Sequence, residues 1–168
     1  MGCANIVRMC AAGETQHSDV GSIAVVQNLP RIILADDRQE ILDAVSCVLD
    51  GEGEIVGLAE DGEQVLKLVQ TRFPDLVVLD LFMPVLNGIE ATKVLRVTDS
   101  RVKVLFLTVC EDPDFVETAI SVGALGYVLK SHLITDLIPA IHAVLKGDVY
   151  ISPSVLSHQL SCSNGQLG

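Results

Sequence analysis

The chain predicts an α/β fold, a parallel sheet wrapped by helices, on three grounds. Short apolar runs alternate five times with segments of helical periodicity between Arg31 and Gly147. Several of the runs are continuous rather than alternating, as expected of strands covered on both faces. The composition, 49 % hydrophobic with 4 % aromatic residues and no Trp, supplies a core of Val, Leu, Ile and Ala. Together these give a doubly wound, five-stranded parallel sheet in one domain with tails.

The elements follow in order. Residues 1–29, which contain "AAGETQHSDVGS", lack clear periodicity and are expected to be a largely disordered extension; "IAVVQ" within them is compatible with a short strand or with loose packing. "RIILA" is the first strand and ends in Asp36-Asp37. Ile41, Leu42, Val45, Val48 and Leu49 carry helical spacing, and either Asp could cap that helix. "EIVGLAE" is the second strand, followed by the helix "GEQVLKLVQTR", which Phe73-Pro74 ends. "DLVVLD" is the third strand and "GIEATKVLRV" the third helix. "KVLFLT" is the fourth strand. The next helix opens with Asp112 as N-cap and Pro113 at its first position, and closes at Gly123. "GYVLK" is the fifth strand, and a long helix from Leu133 stops at Gly147. Residues 148–168 read as a short linker and tail, with Ser152-Pro153 starting one or two helical turns.

Charge and cysteines narrow the function classes. The net charge of −11 disfavours nonspecific binding to nucleic acid or anionic membranes, which depends on Lys and Arg. It suits a partner with a basic surface, or a site that holds a cation. The five cysteines, at 3, 10, 47, 110 and 162, have no CxxC spacing and read as free thiols in a reducing compartment. No apolar run reaches membrane-spanning length, "MGCANI" lacks the Ser or Thr of a myristoylation signal, and no signal peptide is evident, so a cytoplasmic protein is expected.

Chemistry concentrates at the strand ends, where open α/β sheets place their sites. Asp36 and Asp37 end the first strand, Asp80 the third, Thr108 the fourth and Lys130 the fifth. Taken singly, an Asp is a helix cap, a Thr is structural and a Lys is solvated. Asp80 resists that reading, because Leu81, Phe82 and Met83 follow it rather than a helix. Three neighbouring carboxylates repel one another unless a cation is present, and hard oxygen ligands suit Mg²⁺. Asp80 would then be a carboxylate nucleophile towards phosphorus, with Thr108 and Lys130 binding phosphoryl oxygens.

"ILADD", "LVVLDLFMPVLNG", "VLFLT" and "GALGYVLK" resemble the receiver domain of two-component response regulators over roughly residues 30–147. The resemblance implies a flavodoxin-like (CheY-like) sheet in the order 2-1-3-4-5. It implies that a sensor histidine kinase passes a phosphoryl group to Asp80, that Asp37, Asp80 and the backbone carbonyl of Phe82 ligate Mg²⁺, and that Asp36 acts mainly through water. Thr108 matches the switch hydroxyl, Lys130 the phosphoryl-binding lysine and Tyr127 an aromatic that turns from exposed to buried. The phosphorylated state would alter the surface of the fourth helix, fifth strand and fifth helix. That surface, or the first and fifth helices, could carry a homodimer. Met83 and Pro84 shape the loop after Asp80, and Gly88 permits a backbone closed to other residues. Phe82, unable to orient a water, implies slow self-hydrolysis, so the chain is a switch with at most weak phosphatase activity.

"GALGYVLK" through "GDVYISPSV" is most similar to receivers that precede a LuxR-type helix-turn-helix domain (the NarL/FixJ subfamily) and regulate transcription. The sequence stops where that domain would begin, so either the domain was lost or this is a fragment of a longer protein, and DNA contact is expected only through such a domain. The alternatives are a pseudo-receiver, a protein-interaction module working without phosphate, and a haloacid-dehalogenase-type phosphatase. The phosphatase needs an Asp where this chain has Phe82.

Overall fold

The computed structural model describes residues 28–162, with side chains to Ser157; the expected N-terminal extension therefore lies almost wholly outside the described residues. The strands are β1 (Arg31–Ala35), β2 (Glu54–Ala59), β3 (Leu76–Leu79), β4 (Lys103–Thr108), β5 (Gly126–Leu129) and β6 (Tyr150–Ile151). The helices are α1 (Gln39–Val48), α2 (Gly62–Arg72), α3 (Gly88–Thr98), α4 (Pro113–Ser121), α5 (Leu133–Lys146) and α6 (Pro153–Cys162). The sheet is wholly parallel, in the order β2-β1-β3-β4-β5-β6.

The five expected strands take the expected order, and β6 extends it by one. The stretch after Gly147, read above as linker and tail, is instead structured through Cys162. β6 has two residues, too few for a periodicity signal, and it continues the parallel ladder along the edge of β5. Tyr150 N–H donates to the Leu125 carbonyl at 2.8 Å and Ser152 N–H to the Tyr127 carbonyl at 2.9 Å. α6 is longer than one or two turns and contacts α4.

Alternation along each strand divides the core in two. Ile33, Val77, Leu79, Val104, Phe106, Tyr127 and Leu129 face α2, α3, α4 and Val155 of α6. Ile32, Leu34, Leu76, Val78, Leu105, Leu107 and Val128 face α1 and α5. β3 is buried at every residue, which is why its apolar run is unbroken. Each such Leu or Val side chain stabilises the fold by about 2 kcal/mol.

The helix ends mostly follow local chemistry. Asp61, Asn87 and Asp112 cap α2, α3 and α4, each accepting a backbone N–H. Phe73 leaves α2 in the left-handed region (φ 49°), and Gly147 does the same after α5 (φ 93°). α1 departs from expectation: its N-cap is Arg38, without a side-chain bond, and neither Asp36 nor Asp37 caps it. Asp36 faces the sheet end instead, where Oδ1 accepts the Arg38 N–H at 3.0 Å.

Candidate functional site

The ends of β1, β3 and β5 bring four charged side chains together. Asp80 N–H donates to the Ala35 carbonyl at 2.9 Å, so the residues that follow β1 and β3 leave the sheet side by side. Oxygen atoms of Asp36, Asp37 and Asp80 lie within 4.8 Å of one another, with Asp36 and Asp80 buried and Asp37 exposed. Lys130 starts a 3-10 turn after β5 and inserts its ammonium between the two buried carboxylates. Nζ donates to Asp80 Oδ2 at 2.9 Å and pairs with Asp36 Oδ2. Burial raises the Asp36 pKa above the ordinary carboxylate value, and the hydrogen bond from Lys130 holds it partly back.

The cluster is left incomplete. Asp80 Oδ1 is buried and has no hydrogen-bond partner. Three carboxylates face one ammonium, leaving two negative charges. A divalent cation with oxygen ligands answers both the orphaned oxygen and the charge, so the residues present fit one.

Thr108 is fully buried at the end of β4, and its Oγ1 accepts the Cys110 N–H at 3.3 Å. The Cys110 carbonyl accepts the Tyr127 hydroxyl at 2.8 Å. A chain of bonds thus runs from the β4 end to the β5 aromatic. Tyr127 is fully buried, the inward of the two positions expected for it, and burial raises its phenol pKa far above the usual range.

The loop after Asp80 is held in an unusual backbone. Leu86 N–H donates to the Pro84 carbonyl at 2.7 Å, closing a three-residue turn around Val85, which sits at φ 67°. That conformation is costly for a β-branched residue. The Leu86 carbonyl in turn accepts the Gly62 N–H at 3.0 Å, pinning the loop to the start of α2. Met83 points into the core and Phe82 is half exposed, meeting Phe115 of α4 edge-to-face at 5.4 Å. Gly88 is needed for a different reason from the one expected. Its φ is not positive; a Cβ there would overlap the Asp80 carbonyl and come within 2.9 Å of Phe106. Close approach of α3 to the strand end, not backbone freedom, demands glycine.

Asp36, Asp37, Asp80 and Lys130 meet in this crevice, Phe82, Met83, Pro84 and Gly88 lie in the loop beside it, and Thr108, at the end of β4, is linked through Cys110 to Tyr127. Sequence reasoning missed Val85, Phe115, Asp136 and Ser152. Val85 carries no signal of its turn, and Ser152-Pro153 signalled only a helix start.

A 2-1-3-4-5 core of parallel strands with acidic residues and a lysine at their carboxyl ends is the arrangement of a receiver domain. The chain belongs to the response regulator receiver domain family, whose pattern matches residues 32–142. It is 38 % identical over 138 residues to the transcriptional regulatory protein DegU of Brevibacillus brevis, covering 81 % of this chain and 58 % of that protein. It is 35 % identical over 138 residues to the response regulator GacA of Pseudomonas aeruginosa, covering 81 % of this chain and 64 % of that one. The chain therefore spans about three-fifths of the length of these relatives. Among solved structures, a LuxR-family two-component response regulator from Aurantimonas sp. SI85-9A1 superposes with a TM-score of 0.76 at 31 % identity, over 80 % of this chain and 98 % of that one. Among the described residues no helix is long and apolar enough to cross a membrane.

Proposed function

We propose that this chain is a phosphoacceptor switch in which Asp80 takes a phosphoryl group from the phosphohistidine of a sensor histidine kinase. The observation that carries this reading is the state of the Asp80 carboxylate. One oxygen is tied to Lys130 at 2.9 Å, and the other is buried without a partner among acidic neighbours. In the transfer, the phosphorus–nitrogen bond of the donor breaks, a bond from an Asp80 oxygen to phosphorus forms, and the imidazole leaves. Asp37, Asp80 and the Phe82 carbonyl would hold Mg²⁺, with Asp36 acting through water. The ion would supply charge neutralisation for the approaching anion. Lys130, already at the mouth, binds a phosphoryl oxygen, and the Thr108 hydroxyl binds another.

The switch follows from the same contacts. Drawing the Thr108 hydroxyl towards a phosphoryl group gives up the bond from Cys110 N–H, the residue whose carbonyl holds Tyr127. The α4–β5–α5 surface responds, and homodimers through that surface or through α1 and α5 are the proposed output. No DNA contact is proposed for this acidic domain itself.

Incubation with Mg²⁺ and acetyl phosphate tests the reading by intact mass. One phosphoryl group should be gained by the parent and none by Asp80→Ala. No gain in the parent would leave an interaction module that works without phosphate.

A further inference from the structure

Ser152 lies where β6 turns into α6, and it is fully buried. Its hydroxyl has two partners. It accepts the Leu129 N–H at 3.3 Å and donates to Asp136 Oδ2 at 2.6 Å. The other Asp136 oxygen accepts the Thr135 hydroxyl at 2.8 Å, so a nearly buried carboxylate on α5 is held by two hydroxyls. The Ser152 N–H donates to the Tyr127 carbonyl at 2.9 Å. One residue therefore grips β5 at two points, one at the aromatic bonded to Cys110 and one immediately before Lys130.

The geometry of the sheet explains the arrangement. β6 stops at Ile151, so the Leu129 N–H on that edge has no further strand residue to meet. The Ser152 side chain takes it in place of a backbone carbonyl. Lys130 begins a 3-10 turn there, with no regular ladder to fix its direction. Its ammonium must nevertheless reach Asp36 and Asp80 across the end of the sheet.

We infer that Ser152, oriented by Asp136, is a positioning residue for Lys130, and that seating of the β6–α6 segment on β5 is thereby part of phosphoryl acceptance at Asp80. The inference rests on the function proposed above. Whatever loosens the segment frees Lys130 from its place beside Asp80 and so slows acceptance. Lys130 shares Asp36 and Asp80 with the cation the cluster would hold, so loosening it should leave Mg²⁺ affinity equal to the parent's or tighter, never weaker.

The test uses Ser152→Ala and Asp136→Asn in the full chain, the latter keeping an acceptor for the hydroxyl. Three quantities are read: phosphoryl uptake from acetyl phosphate, Mg²⁺ affinity by isothermal titration without phosphodonor, and amide hydrogen exchange at Leu129 and Lys130. Ser152→Ala should slow uptake about fivefold and speed Leu129 exchange about tenfold, the scale of one lost hydrogen bond. Its Mg²⁺ affinity should equal or exceed the parent's, and the uptake rate of Asp136→Asn should fall between those of the parent and Ser152→Ala. Uptake equal to the parent overturns the inference, as does a parallel loss of Mg²⁺ affinity, which would mean general damage. If the parent itself gains no phosphoryl group, the proposed function fails and exchange decides the positioning. Protection lost at Leu129 and Lys130 sustains the positioning of Lys130, and unchanged protection ends it.

Discussion

The two ends of the sheet are finished differently. At the amino end, polar groups are spent on neighbouring backbone. Arg31 N–H donates to Asp75 at 2.8 Å and its guanidinium to the Arg72 carbonyl at 2.7 Å. Arg96 reaches the Val102 carbonyl at 2.6 Å, although its Nε has no partner, and Arg101 pairs with Asp99 at 3.2 Å. At the carboxyl end, three carboxylates crowd one ammonium, a buried oxygen is unpartnered, and a valine is held in the left-handed region. The amino end settles most of its charges locally, in pairs or on backbone carbonyls. At the carboxyl end Lys130 offsets only part of the charge, and what remains unsatisfied is its capacity to bind.

The contrast is broken most directly at Lys130, whose side chain is 7 % exposed. Lys130→Ala leaves two buried carboxylates facing each other and should cost about 3 kcal/mol in urea unfolding without divalent cations. Millimolar Mg²⁺ should recover part of that loss, since the ion replaces the missing positive charge. A loss unaffected by Mg²⁺ would show that the carboxylates do not form a cation site.

Val85→Gly sharpens the comparison with the opposite sign. Val85 is 74 % exposed, so little packing is lost, and glycine removes the positive-φ penalty. A gain of about 1 kcal/mol is expected after allowing for the greater chain entropy of glycine. A loss would mean that the valine side chain supports the loop.

The smallest effect is expected at the amino end. Arg101 is exposed and its pairing with Asp99 is screened by solvent, although that pairing lowers the Asp99 pKa. Arg101→Ala should leave the thermal midpoint unchanged within error. A clear drop would show that this end, too, depends on its charges.

Much of the fold was legible because burial on both faces writes itself into unbroken strands, and helix periods into α1–α5. The site residues were legible because a parallel sheet delivers its strand ends to one edge. Other features were not. β6 is too short to show a period. The role of Gly88 depends on how closely α3 approaches Asp80, which no local pattern records. Arg38 stands where an Asp cap was expected on α1, while Asp36 pairs with Lys130, which follows β5, three strands away along the same edge.

By itself, then, the sequence determined the order of elements, the parallel sheet and the identity of the carboxylates, hydroxyl and lysine at its edge. These follow from local periodicity and from chain direction. Only the tertiary structure decided which oxygen of Asp80 is free, that Tyr127 lies inward, and that Ser152 bridges Asp136 to the end of β5. Each of those depends on groups far apart in the chain meeting within hydrogen-bond range, a distance that packing sets and spacing along the chain does not.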